Sequence, residues 1–252
     1  MNNISIITAT YNCEDTILPC IESIDNQTEL PYEHIIIDGK SSDSTLDLIK
    51  SKHRDFRKII SEKDQGIYDA LNKGIDVATG DIICFLHADD IFASKNVISS
   101  VKYFFNENKC DISYADLCYV KKEDINSVTR LWKAGNFNKC KLKLGWMPPH
   151  PTVFFRLSLV KEYGKFDIKF AISSDYDWIL RYFTKDLDIK YLKMDIIRMR
   201  MGGVSNQPSK ILYKIIEDYK IAGKYFKFPF FTIFFKNIQK IPQLLISNKG
   251  KN

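Results

Sequence analysis

Residues 64–90, DQGIYDALNKGIDVATGDIICFLHADD, decide the fold that this sequence predicts. Apolar side chains recur every three or four residues up to Gly80, which predicts an amphipathic helix that ends at this glycine. A short unbroken apolar run follows and is typical of a strand buried in a parallel sheet. This strand ends at His87, just before the adjacent carboxylates of Asp89 and Asp90. A helix that leads directly into a buried strand is half of a βαβ unit.

Two earlier segments repeat this alternation of strand and helix. The apolar runs ISIITA, at residues 4–9, and HIIIDG, at residues 34–39, each precede a stretch with helical features. Strict alternation predicts right-handed crossovers and a mostly parallel sheet, whose ligand crevice lies beyond the carboxyl ends of the strands. Each strand ends in polar residues, so we expect the three ends to form one site. The glycine patterns of dinucleotide-binding folds and of P-loops are missing after the first strand.

The adjacent carboxylates of Asp89 and Asp90 repel each other and need a positive partner that the local sequence does not supply. A divalent cation such as Mg²⁺ or Mn²⁺ takes oxygen ligands, and water and ligand phosphates complete its shell when only one or two carboxylates bind it. The pair therefore favours a metal that arrives with a diphosphate. A solvated turn, in which an aspartate caps the next helix, explains the same two residues equally well.

Composition indicates an ordinary globular protein. The chain has 252 residues, of which 45% are hydrophobic and 27% charged, and this balance excludes a disordered protein. The N-terminal residues lack the features of a signal peptide, and no apolar run is long enough for a transmembrane helix, so we expect a cytoplasmic protein. The six cysteines form no CxxC pair and mostly have apolar neighbours, which indicates reduced, packed thiols.

The net charge of +6 is concentrated at the C-terminal end. Residues 206–252 contain nine lysines and two acidic residues, so the preceding residues are almost neutral and general nucleic-acid binding is not expected. Seven Phe or Tyr residues lie among lysines between Lys224 and Lys236. This pattern suits the surface of an anionic membrane. A helix packed on the core, with its lysine stems along apolar surface, has the same pattern.

Seven motifs occur along the chain in this order: SIITATYN, IIIDGKSSDST, DQGIYDALNKG, FLHADD, PHPTVFFR, SSDYDWILR and GGVS. Together they resemble the family 2 glycosyltransferases, most of all the bacterial enzymes that build O-antigen and capsular polysaccharides. The resemblance implies an α/β fold of the GT-A type, with a Rossmann-like, mostly parallel central sheet flanked by helices. It places a glycosyltransferase domain at residues 1–205, with a nucleotide-binding half at 1–100 and an acceptor-binding half at 101–205. Residues 206–252 follow as a C-terminal helical segment, basic and aromatic, that would associate with the membrane.

The resemblance also implies roles for individual residues. Asp175 would be the general base, and Asp89 and Asp90 would hold the metal. The nucleotide would be bound by Thr8, Ala9, Thr10, Asn12, Asp38, Gly39, Ser41, Asp64, Gly66, His87, Ala88 and Asp89. The acceptor or the donor sugar would contact Trp146, His150 and Ser174. A buried aromatic for Trp146 and a packed loop residue for His150 are the open alternatives.

Two positions depart from the family pattern. His87 stands where the first acid of an Asp-x-Asp motif is expected. Imidazole can bind Mn²⁺ or contact ribose, so the metal preference is left open. Ser174 stands where a second acid often precedes the base, which leaves Asp175 as the candidate base within this motif.

The expected function is an inverting, metal-dependent transfer of a sugar from a nucleotide-diphospho-sugar, such as a UDP-sugar, to a hydroxyl of a lipid-linked saccharide. Such a reaction needs a base for the acceptor proton and a cation, Mg²⁺ or Mn²⁺, for the departing diphosphate. The enzyme would work at the inner surface of the cell membrane, with self-association left open. The alternatives are a metal-dependent sugar nucleotidyltransferase, whose usual Gly-rich basic loop is missing here, and a non-catalytic sugar- or lipid-binding scaffold.

Overall fold

The computed structural model describes residues 2–202 and 208–238. Its first half alternates strands and helices as the sequence predicts. In chain order the elements are β1 (Ile4–Thr10), α1 (Ile17–Asp25), β2 (Glu33–Asp38), α2 (Thr45–Ser51), β3 (Arg57–Ser61), α3 (Ile67–Val77) and β4 (Ile82–Phe85). Strand β1 pairs in parallel with both β2 and β4, and β2 pairs in parallel with β3. The carboxyl ends of these strands therefore lie at one edge of the sheet.

The second half is less regular. Its elements up to residue 202 are β5 (Ile91–Phe92), α4 (Val97–Asn108), β6 (Ile112–Val120), β7 (Val128–Trp132), α5 (Lys139–Leu142), a 3-10 turn (His150–Thr152), β8 (Phe154–Arg156), α6 (Ser158–Tyr163), α7 (Ser174–Phe183) and β9 (Ile189–Arg200). Across the described residues the sheet order is β3-β2-β1-β4-β8-β6-β9-β5, and β7 pairs with β6. Strand β8 joins the two halves, because it pairs with β4 on one side and with β6 on the other.

The predicted α/β fold with a central sheet and flanking helices is confirmed, and parallel pairing is concentrated in the first half. In the second half β6 and β9 are parallel, whereas β7, β8 and β5 pair in the antiparallel sense. Residues 121–127 alone connect β6 to β7. A parallel connection needs a crossover of roughly a dozen residues or more, so this short link produces a hairpin.

One aromatic core joins the two halves of the sheet. Phe85 of β4 lies 5.8 Å from Phe155 of β8 and 6.4 Å from Trp178 of α7, measured between ring centroids. Phe155 and Trp178 are 4.5 Å apart, and all three side chains are buried. The cysteines are free thiols, and most are buried, as the sequence indicates. Residues 2–100 and 101–202 are therefore packed as one unit.

The C-terminal segment forms two helices, α8 (Pro208–Tyr225) and α9 (Pro229–Ile238). The inner side of α9 buries Thr232, Ile233 and Lys236, and the Thr232 hydroxyl donates to the Lys143 carbonyl at 2.9 Å. Part of the basic-aromatic segment thus covers the core. Residues 239–252, as well as Ser205, lie outside the described residues. In the described ranges no helix combines the length and apolar character needed to cross a bilayer.

Candidate active site

Asp38 is the best-anchored carboxylate at the strand ends. It is fully buried at the end of β2. The Ser41 hydroxyl donates to Oδ1 at 2.5 Å, and the Ser61 hydroxyl donates to Oδ2 at 2.6 Å. These hydroxyl bonds compensate for burial of the carboxylate and fix its direction. Ser61, at the end of β3, is a residue that the sequence reasoning missed, although it ends a strand of the same parallel set.

The loop after β1 is tied to the loop after β2. Asn12 has a positive φ of 46°, and its side-chain oxygen accepts from the Ser42 amide at 2.8 Å. Its own amide donates to the Ser41 hydroxyl at 3.0 Å. Thr10 is buried beside Asp38, whereas Ala9 is half-buried. The predicted nucleotide residues at these two strand ends therefore lie together.

Thr8 lies deeper than a pocket-lining side chain would. Its hydroxyl is fully buried and pairs with His34 Nε2 at 3.0 Å, and His34 Nδ1 accepts from the buried Arg57 at 3.1 Å. Burial and the Arg57 charge hold the pKa of His34 well below its usual value. The Thr8 side chain therefore belongs to an internal polar network, and only its backbone is left for a ligand.

The loop after β3, which contains Asp64, contacts Gly39 in the loop after β2. A Cβ on Gly39 would overlap Asp64 Oδ2, so a larger residue here would displace the Asp64 carboxylate. Asp64 Oδ1 accepts from the Gly66 amide at 2.9 Å. Gly66 has a φ of 114°, which a residue with a side chain rarely adopts, and α3 begins immediately after it. Asp64 thus lies beside the Asp38 loop.

The carboxylates after β4 point in different directions. Asp89 is half-buried and has no hydrogen bond or ion pair to another described residue, and Ala88 beside it is buried. Asp90 is fully buried, and its Oδ1 accepts from the Arg200 amide of β9 at 3.3 Å. Its Oδ2 has no partner within the described residues. Burial, and then the neighbouring Asp89 charge, raises the pKa of Asp90 well above its usual range.

These two carboxylates fit a divalent cation only as a partial ligand set. Among the described residues no three His, Cys, Asp or Glu side chains converge as a metal cage. The free carboxylate of Asp89 and the unpartnered Oδ2 of Asp90 supply hard oxygen donors, which Mg²⁺ and Mn²⁺ prefer. A cation held here would take its remaining ligands from water and from a diphosphate.

Asp175, in the first turn of α7, is held by contacts from three directions. The Tyr176 amide donates to its Oδ1 at 2.8 Å, and the Tyr68 hydroxyl of α3 donates to the same oxygen at 3.3 Å. His150 Nδ1 lies 3.6 Å from Oδ2. Burial opposes ionisation, but the electrostatic influence of His150, Lys236 and Lys214 outweighs it and lowers the pKa of Asp175. The carboxylate is therefore ionised near neutral pH.

Two histidines connect Asp175 to the end of β4. His150 Nε2 lies 3.1 Å from His87 Nε2, and the ring centroids are 5.0 Å apart. Burial lowers the pKa of His150 to about 4 and also lowers the pKa of His87. Both imidazoles are consequently neutral near pH 7. The structure thus brings together His87, His150 and Asp175, which are separated widely in the sequence.

Several residues around Asp175 carry no recognisable signal in the sequence. Tyr68 looks like an ordinary helix packing residue, yet burial and the nearby Asp175 charge raise its pKa well above its usual value and keep its hydroxyl protonated. Lys236, from α9, lies with Nζ 3.2 Å from the centre of the Tyr176 ring. Lys236 also pairs with the buried Asp218 at 2.8 Å. The spacing of these residues along the chain gives no indication of these contacts.

Glu217 of α8 fixes the loop that precedes Asp175. Its carboxylate accepts from three successive amides: Ala171 at 3.0 Å, Ile172 at 3.0 Å and Ser173 at 2.8 Å. These charge-assisted bonds satisfy two amides of the loop and the amide of Ser173, the N-cap residue of α7. The C-terminal helices therefore help to position the candidate base.

Two of the predicted acceptor residues lie elsewhere. Ser174 is fully buried, and its hydroxyl has no partner within the described residues, so it is not open to a substrate. Trp146 donates from its indole nitrogen to the Ala134 carbonyl at 3.2 Å. It lines a groove of about 610 Å³ with Arg130, Trp132 and Lys141, and the lining includes neither His150 nor Asp175. Of the three, His150 alone contacts the candidate base.

Comparison with known proteins gives the family. The sequence model of Glycosyl transferase family 2 matches residues 5–164. A PGL/p-HBAD biosynthesis glycosyltransferase of Mycobacterium bovis is 31% identical over 208 residues, which cover 80% of this chain and 78% of that protein. An uncharacterized glycosyltransferase of Methanocaldococcus jannaschii is 24% identical over 233 residues, which cover 89% and 79%.

The fold is similar to that of known structures. Residues 1–349 of Staphylococcus aureus TarS superpose with a TM-score of 0.69 at 18% identity, covering 88% of this chain and 64% of that one. The complex of the same TarS fragment with UDP superposes with a TM-score of 0.67. This chain therefore spans slightly less than two thirds of the TarS fragment. Because the family model matches more than half of the chain and a relative is 31% identical across four fifths of it, the chain belongs to family 2 of the glycosyltransferases.

Proposed function

We propose that this chain is an inverting glycosyltransferase that moves a sugar from a UDP-sugar to a hydroxyl of a lipid-linked saccharide. The observation that carries the proposal is the single ionised carboxylate of Asp175, joined through His150 and His87 to the strand ends. An inverting displacement at the anomeric carbon needs one base and no protein nucleophile. The site supplies one such base, and family membership favours transfer over the nucleotidyltransferase and scaffold alternatives.

The strand ends supply the features that a nucleotide needs. Asp38 presents a fixed carboxylate for the donors of a base, and Asn12, Gly39 and Asp64 surround it. TarS, whose fold is similar, has been crystallised with UDP and with UDP-GlcNAc. These complexes support a uridine nucleotide as the donor carrier, and the buried Asp38 network supports its location.

The chain's own residues account for the proton transfer. Asp175 would take the proton of the acceptor hydroxyl as the new glycosidic bond forms and the bond to the UDP oxygen breaks. Tyr68 and His150 contact the carboxylate and hold it in place. Both are neutral near pH 7, so neither acts as a charged acid in this step. Asp89 and Asp90 would hold Mg²⁺ or Mn²⁺, which stabilises the negative charge of a departing diphosphate when bound.

The acceptor and the location in the cell are part of the same proposal. The family resemblance points to surface polysaccharide synthesis, where a growing saccharide is carried on a lipid. The enzyme would then work in the cytoplasm, at the inner surface of the cell membrane. The exposed Lys220 of α8 and the exposed Lys227, between α8 and α9, support this location, because anionic lipid attracts lysine side chains.

The substitution Asp175→Asn tests the assigned base. We expect transfer to fall by about 10²- to 10⁴-fold, because the amide keeps the shape but cannot accept a proton. UDP affinity, measured by isothermal titration calorimetry, should stay within error of the wild type. Asp186→Asn, an exposed carboxylate on the loop after α7, is the matched control. Retention of half the activity would remove Asp175 from the mechanism.

The same calorimetry tests the donor and the metal. UDP should bind more tightly with Mn²⁺ than with a chelator, and Asp89→Ala should remove that difference. Absence of UDP binding in both conditions would overturn the proposed function as a whole. Equal UDP binding in both conditions would support the nucleotide site but overturn the proposed metal dependence.

A further inference from the structure

Two stripes of exposed apolar side chains run along the C-terminal helices. On α8 the stripe consists of Ile211, Leu212, Ile215, Ile216 and Tyr219, and on α9 it consists of Phe230, Phe231, Phe234, Phe235 and Ile238. Both follow the spacing i, i+1, i+4, i+5, i+8, which places five residues on one side of a helix. Each side chain is between 37% and 72% exposed. We call these two sets the outer stripes.

The outer stripes face away from the body of the protein. The buried residues of α8 are Asp218, Ile221 and Ala222, and on α9 Ile233 and Lys236 are buried on the side opposite the stripe. The aromatic rings on α9 contact one another, with the centroids of Phe230 and Phe234 6.2 Å apart. Single exposed apolar residues are common, but ten on two adjacent helices form a patch that marks an interaction surface.

The acidic side chains of these helices point toward the body of the protein. Glu217 and Asp218, the acidic residues of residues 208–238, both point inward, the first to the loop before α7 and the second to Lys236. Lys220, Lys224 and Lys227 are exposed, although Lys224 also pairs with Asp167 and Asp177. Lys214, in contrast, acts on Asp175 from the inner side. The surface beside the outer stripes is therefore positively charged.

We propose that the outer stripes of α8 and α9 lie in the headgroup region of an anionic membrane. Apolar and aromatic side chains enter the acyl boundary while flanking lysines meet lipid phosphates, which is the arrangement of interfacial helices. A second copy of the chain is a poorer occupant, because two such surfaces would bring like charges together. The inference deepens the proposed function, on which it rests for the acceptor's identity.

The outer stripes belong to the same helices that position Asp175, so membrane contact there would bring the candidate base close to the lipid surface. The same helices hold the candidate base from their inner side, through Glu217 to the preceding loop and through Lys236 beside Tyr176. A membrane bound on the outside of α8 and α9 would therefore lie next to the elements that position the base. This arrangement suits an acceptor that is carried on a lipid.

Vesicle sedimentation of the full chain tests the proposal. The wild type should sediment with phosphatidylcholine vesicles that contain phosphatidylglycerol and much less with phosphatidylcholine alone. Added salt should release part of the protein, because screening weakens the lysine contribution but not the apolar one. The double substitutions Phe231→Glu with Phe234→Glu and Leu212→Glu with Ile216→Glu should each lower the partition coefficient about tenfold or more.

A matched control and an independent readout keep the outcome interpretable. Tyr103→Glu replaces a side chain of α4 that is 68% exposed and should leave sedimentation unchanged. UDP binding should be unchanged in every variant, which separates a failure of this proposal from a failure of the proposed function. Wild-type protein that stays in the supernatant with both vesicles would overturn the proposal. A dimer that the stripe variants dissociate, without vesicle binding, would overturn it in favour of a second copy.

Discussion

At the scale of single residues, the candidate site depends on which groups are ionised. The Asp175 carboxylate accepts from the Tyr68 hydroxyl, and its Oδ2 lies 3.6 Å from His150 Nδ1. The charges of Lys236 and Lys214 also act on it. Burial opposes ionisation of the carboxyl, and the electrostatic influence of His150, Lys236 and Lys214 outweighs it and keeps the carboxylate available as a base. The histidines, although close to the base, have lowered pKa values and act as neutral hydrogen-bonding partners.

The pH dependence of transfer follows from the directions of these pKa shifts. A base with a lowered pKa is fully ionised at pH values above its usual range, and activity is lost only as the pH falls through that lowered pKa. His150, with a pKa of about 4, is already neutral well below pH 6. We expect kcat/KM to be flat from about pH 6 to about pH 8, without a step near the ordinary histidine value of about 6.5. A step near pH 6.5 in initial rates, measured at saturating metal, would contradict this expectation and indicate a catalytic histidine with an ordinary pKa of about 6.5.

At the scale of elements, one side of α9 covers the core and the other side is exposed. Lys236 and Asp218 form a buried ion pair between α9 and α8, with side chains 5% and 3% exposed. Burial lowers the pKa of Lys236, and Asp218 raises it again in part. Removing one partner would leave the other charge buried without compensation, which is costly. The two helices are therefore linked through charge as well as through apolar contacts.

The substitution Lys236→Met tests this link. It should reduce the free energy of unfolding by about 3–5 kcal/mol, because Asp218 loses its partner in a buried environment. The double variant Asp218→Asn with Lys236→Met should recover much of the loss, since no buried charge remains. Urea denaturation gives both values, with Lys227→Met, an exposed lysine, as the control. Equal stability of the single and double variants would mean that the pair is not coupled.

At the scale of the whole molecule, residues 2–100 and residues 101–202 share one core. Phe85, Phe155 and Trp178 come from three elements of both halves and contact one another. Strand β8 also bonds to β4 and β6, one from each half. The strand ends and the candidate base on α7 can keep a fixed distance because this core is continuous.

Unfolding should consequently be a single transition. The three tryptophans, Trp132, Trp146 and Trp178, report on the second half by fluorescence, whereas bound UDP would report on the first. We expect both signals to be lost at the same urea concentration. Phe85→Ala should lower the free energy of unfolding by about 3–5 kcal/mol and shift both signals together. Tyr103→Ala is the exposed control. A shift of only one of the two signals in the Phe85→Ala variant would show two independent units.

The sequence by itself determined the elements and the family. The period of apolar residues in 4–9, 34–39 and 64–90 is a local property, so the strands, the helices and their polar ends could be predicted from it. The ordered motifs likewise indicated the glycosyltransferase family and the candidates Asp38, Asp89 and Asp175. Local patterns record which residues can face a core and where a strand stops.

Only the tertiary structure decided how these residues are used. It directed Asp90 inward to β9, buried Ser174 and Thr8, and placed Trp146 in a groove that does not include the base. It also brought Tyr68, Glu217 and Lys236 to Asp175 or its loop from helices far apart in the chain. Side-chain direction and long-range contact depend on how whole elements pack, and a one-dimensional pattern does not contain that information.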